Sequence, residues 1–126
     1  MFVPGTSPNA QLGELEGALG LFWDDQDWGI VNAEGARLHE FLQFFSERYD
    51  ETWSVWTVGE YVDLVLESAC DALRADPDLD VSCVDDFVRK TAGIAPDRVA
   101  YWTKRDWAIT AHLRHLGVDG PDASPA

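Results

Sequence analysis

Between Tyr61 and Leu73 the apolar residues Tyr61, Val62, Val65, Leu66, Ala69 and Leu73 recur at intervals of one, three and four. That spacing gathers side chains on one side of an α-helix. The stretch also has marked ends. Thr57-Val58-Gly59-Glu60 reads as a capping box, in which the Thr hydroxyl and the Glu carboxylate each satisfy a backbone N–H that the helix leaves orphaned. Asp76-Pro77 stops the pattern, because proline cannot continue the hydrogen-bond ladder. The prediction is a helix over 57–75. A helix this long with one apolar side must be covered by other elements, and that demand constrains the fold more than any other feature.

Four further helices are predicted around it. Leu12, Leu15, Leu19 and Phe22 fall at helical spacing over 9–23. Gly13, Gly17 and Gly20 lower that helix's propensity unless they serve close packing. Gly29 punctuates a turn over 24–31. Asn32 is placed as the N-cap of a second helix, with Glu34 in its acidic first turn and Leu38, Phe41, Leu42 and Phe45 as its buried stripe, ending near Tyr49. Residues 51–56 read as a short extended segment, or as a connector anchored to the core by Trp53 and Trp56. A short helix opens at Ser82-Cys83-Val84-Asp85, another capping-box-like start, and closes at Gly93. A last helix begins at Pro96 and ends at Gly117. The expected fold is all-α, a bundle of about five helices in a single domain over 1–117. Residues up to Pro8 read as a loose lead-in, and 118–126 as a disordered tail.

Composition narrows the class. A hydrophobic fraction of 46% with six Trp and six Phe argues against disorder. No apolar run is long enough for a transmembrane helix, and no signal peptide is visible. Cys70 and Cys83 do not form a Cys-x-x-Cys pair. They read as reduced, buried, small hydrophobes of a cytoplasmic protein. No phosphate loop, nucleophile elbow or catalytic triad pattern is present, so no catalytic residue and no cofactor is expected.

The charge is one-sided. Residues 1–73 hold 14 Asp/Glu against two basic residues, and 74–126 hold 9 against 7, for a net charge of −14. Such an excess disfavours direct contact with nucleic acid or an anionic membrane. It points instead to a basic partner or a high-salt habitat. Glu60, Asp63, Glu67 and Asp71 lie three, four and four residues apart on one helix face, where like charges oppose the helix. Two readings stay open. The stripe meets a cationic partner, or it is solvated or paired inside the fold with a last-helix row of Arg98, Arg105 and His112. A second cluster, Asp24, Asp25 and Asp27, sits between Trp23 and Trp28. It does not fit a calcium loop, because the glycine and the closing acid fall at the wrong positions. It reads as a solvent-facing turn or a contact patch, with Trp23 or Trp28 as an anchor or as core. Asp106 shares a stripe with Trp102, Ile109 and Leu113 and there needs a partner such as an indole N–H or Arg. His112 and His115 read as cations at a helix C-terminus rather than metal ligands, and His39 as a surface residue.

Phe22-Trp23 followed by Gln26-Asp27-Trp28 resembles a motif of bacterial contact-dependent growth-inhibition immunity proteins. In that family a first helix ends in an aromatic pair and a His-Gln-Asp-Trp-like string follows. Here the His is absent and one residue is inserted. The resemblance extends over about residues 12–116, with Trp102, Trp107, Leu113 and Leu116 in the part of the last helix. It implies a small cytoplasmic protein without enzymatic activity that binds and blocks a cognate toxin, often a basic nuclease. The expected contacts are Asp24, Asp25, Asp27, Trp28, Glu60, Asp63, Glu67 and Asp71. Two alternatives stand beside it: a DNA mimic acting on nucleic-acid-binding proteins, and a structural or regulatory helical module.

Overall fold

The central helix starts earlier than its sequence signature. In the computed structural model, which describes residues 2, 3 and 5–118, α4 spans Val55–Ala75. Its N-cap is Ser54, whose hydroxyl accepts the backbone N–H of Thr57 at 3.0 Å. The Thr57–Glu60 capping box therefore does not form. Thr57 lies inside the helix and donates its hydroxyl to Gln11 Oε1 at 2.6 Å, while Glu60 turns away to Arg98. Around α4 lie α1 (Pro8–Leu19), α2 (Trp28–Asn32), α3 (Leu38–Arg48), α5 (Asp85–Ala92), α6 (Pro96–Tyr101) and α7 (Thr110–Leu116). Short 3-10 turns at Gly35–Arg37 and Ser82–Val84 lead into α3 and α5. No strand occurs among the described residues, and the fold is all-α.

α4 is wrapped rather than one-sided. α1, α2, α3, α5 and α6 all pack on it, so Val58 and Leu64 are as fully buried as Val62 and Val65. Two glycines bring the 28–37 segment against its backbone. A Cβ on Gly29 would lie 2.6 Å from the Glu60 carbonyl oxygen, and one on Gly35 would lie 2.7 Å from the Ala72 nitrogen. Gly29 is thus a packing residue inside α2, not the punctuation of a turn. Gly13 and Gly17, by contrast, face open space on α1. At the other end of the core, Phe45, Trp53, Tyr61 and Phe87 form an aromatic cluster. Phe2 joins it edge-on to Trp53, so the lead-in is tied to the core. The Tyr61 hydroxyl donates to the Phe41 carbonyl at 2.7 Å.

Several other boundaries move. α1 ends at Leu19 with a left-handed Gly20 (φ 68°), which leaves Phe22 outside the helix and exposed. Asn32 closes α2 instead of capping the next helix. It is buried, and its amide donates to the carbonyls of Phe22 and Trp28 while accepting the Phe22 N–H. Residues 51–54 turn, and Trp56 falls in the first turn of α4, exposed. Ser82 caps nothing, and Cys83 is exposed rather than buried. The predicted last helix divides into α6 and α7, because threonine hydroxyls take up backbone groups at the break. Thr103 donates to the Ala100 carbonyl, and Thr110 to the Trp102 carbonyl. Asp106 lies on the intervening segment, solvent-exposed rather than on a core stripe, with Arg114 3.6 Å away. Val118 packs on the core, and 119–126 lie outside the described residues.

Candidate functional site

The first half of the acidic stripe of α4 is used inside the molecule, and the second half is bonded at the surface, where Asp71 stays exposed. Glu60 and Asp63 both accept from Arg98 Nη1, at 2.8 and 2.5 Å. Asp63 also accepts the Trp102 indole N–H at 2.9 Å. Burial raises the Asp63 pKa and the Glu60 charge adds to it, while Arg98 and the indole N–H oppose the rise. Further along, Glu67 pairs with Arg74 at 3.1 Å. Asp71 accepts the Gly35 N–H at 3.0 Å. These contacts match the internal-pairing reading at Arg98 but not the expected row of last-helix cations. Arg105 instead stacks over Tyr101 and Trp107. His112 pairs with Asp85 on α5 at 2.7 Å. Glu60 is buried at 6% exposure and Asp63 is largely covered, so neither offers its carboxylate freely to a partner.

The 24–27 turn is different. Asp24 accepts the backbone N–H groups of Asp27 and Gln26, which hold its pKa below the usual carboxylate range. Asp25 and Asp27 are exposed. Before them, Phe22 and Trp23 are exposed at 59% and 48%. Trp28 is not part of this surface. It is 1% exposed, and its indole N–H donates to Glu16 at 3.1 Å. Of the two tryptophans flanking the acids, Trp23 is presented and Trp28 is core.

The surface continues past the turn. Ile30 on α2, Trp56 on α4 and Tyr101 on α6 are exposed, and Asp97 stands exposed beside them. Periodicity could not single out Ile30 and Tyr101, because α2 and α6 are too short to display a period. Among the described residues no group of three or more His, Cys, Asp or Glu is placed to hold a metal ion. Among them, too, no helix is long and apolar enough to cross a membrane. What the face can do chemically is bind: aromatic rings supply area, and carboxylates supply orientation and attraction for cations. No protein-family model, no curated protein and no solved structure matches the chain.

Proposed function

We propose that this chain is a cytoplasmic, non-enzymatic inhibitor that binds a basic protein, in the manner of an immunity protein neutralising a nuclease toxin. One observation carries the reading: exposed Phe22 and Trp23 run directly into the carboxylates of Asp24, Asp25 and Asp27. Aromatic anchors supply binding energy at interfaces, and acids beside them steer a cationic surface into place. A DNA mimic would instead need a continuous band of acids across several helices. Here Glu60, Asp63 and Glu67 are taken up by Arg98 and Arg74, which breaks the band along α4, while the acids of the 24–27 turn follow directly on exposed Phe22 and Trp23.

Capture on the immobilised chain, from a lysate of the organism that encodes it, tests this at low and at moderate salt. The expected result is one basic protein, retained at low salt, whose nuclease activity falls when the purified chain is added. Trp23→Ala combined with Asp25→Lys should reduce its retention. A broad set of DNA-binding proteins would replace this reading with mimicry. No salt-sensitive partner would remove both.

A further inference from the structure

Ile30, Val55, Trp56 and Tyr101 are exposed at 39%, 60%, 41% and 46%, and they are not scattered. One hollow is bordered by Ile30 and Tyr101, a second by Val55 and Trp56, and both are lined by Asp97 and Arg98. The two hollows adjoin at those shared residues and form a trough-like face across α2, α6 and the first turn of α4. Its charge is unbalanced. On the floor one guanidinium, Arg98, serves two carboxylates, Glu60 and Asp63, and the other cation near the rim, Arg105, is held over the Tyr101 and Trp107 rings. On the walls, the side chains of Asp27 and Asp97 are exposed and have no cation or hydrogen-bond partner among the described residues.

A purely apolar occupant would cover these carboxylates and leave their charge uncompensated. A phosphate would be repelled. A guanidinium suits both halves of the trough. It is planar and donates to several carboxylate oxygens at once, whereas an ammonium is a more strongly hydrated point charge. We propose that the trough receives an arginine side chain from the surface of a basic partner protein. Its head group lies against Asp27 and Asp97, and its stem against Ile30 and Tyr101. This rests on the basic-partner reading above and places a specific contact beside the Trp23–Asp27 turn.

The test needs no partner. The isotope-labelled full chain is titrated with acetyl-Leu-Arg-Leu-amide at low salt and followed by amide and indole NMR shifts. The expected result is saturable movement at Ile30, Asp97, Tyr101 and the Trp56 indole. Asp97→Asn should weaken binding about two- to fivefold, the effect of one exposed ion contact. Asp27→Asn is the second variant, and unmoved core resonances report that either one is folded. Equal binding of the citrulline or lysine counterpart overturns the assignment. So does the absence of saturable shifts in the trough. Loss of the titration with partner capture intact removes the trough alone. Loss of capture with the titration intact removes the basic-partner reading alone.

Discussion

Arg98 is a charged residue on which the fold depends. It holds Glu60 and Asp63, one of them buried and the other largely covered. Arg98→Met leaves both carboxylates without a cation, and an uncompensated buried charge costs about 3–5 kcal/mol. Asp63→Asn is milder. Its amide oxygen still accepts the Trp102 N–H and Arg98 keeps Glu60, but its NH2 faces the Arg98 guanidinium where Oδ2 accepted, so the cost is about 1–3 kcal/mol. Denaturant melts at neutral pH should therefore rank Arg98→Met below Asp63→Asn. The pH dependence has a definite sign. Because burial lifts Asp63 above its ordinary value, the folded chain keeps a proton that the unfolded chain has already lost. Stability from this group is then present at low pH and declines as pH rises from the unfolded to the folded pKa. Removing Arg98 takes away an opposing attraction and extends that decline to higher pH. The deficit of Arg98→Met should shrink on acidification, and a deficit constant between pH 7 and pH 4 would remove this account. Asp24 runs the other way. Its lowered pKa makes its turn contacts present above the unfolded value and lost as pH falls through the folded one.

At the scale of elements, the approach of α2 to α4 is set by Gly29. An added Cβ there meets the Glu60 carbonyl oxygen, Asp63 Cβ and the Leu64 nitrogen, all within 2.7 Å. Most of those atoms belong to helix backbone and cannot yield. Gly29→Ala should cost about 1–3 kcal/mol by overpacking. Gly17→Ala, at an exposed α1 site with open space around it, should stabilise by about 0.5–1 kcal/mol. Paired thermal melts check both signs. Nothing in the sequence separates these two glycines, since the difference lies wholly in what α4 brings to Gly29. The same limit explains the boundaries. The body of α4 was legible because its apolar spacing is long and its Asp76-Pro77 stop is chemical. Its start was not, because Ser54 and Thr57 are both good caps. The choice falls to Gln11, which accepts from the Ser54 N–H and the Thr57 hydroxyl from another helix. The break between α6 and α7 was hidden likewise, since it depends on where two threonine hydroxyls find carbonyls.

At the scale of the molecule, the net charge of −14 acts twice, with opposite signs. Within the fold, pairing with Arg98, Arg74 and Arg37 absorbs only part of the excess. The remainder is mutual repulsion that favours expansion. Toward a basic partner, the same excess is attraction. The charge imbalance could be read directly from the sequence, but its division could not. Glu60 and Asp63 fall inside the fold while Asp25 and Asp97 stay outside, and it is the packing of α6 on α4 that covers the first pair. Salt separates the two roles. Screening shortens from about 30 Å at about 0.01 M to about 8 Å at about 0.15 M, less than the span of the domain. Over that range the melting temperature of the free chain should rise by roughly 2–5 °C. Its association with a basic partner should weaken over the same range. Calorimetry of the free chain checks the first half without any partner in hand. A melting temperature that falls with salt would mean that the internal ion pairs outweigh the free carboxylates.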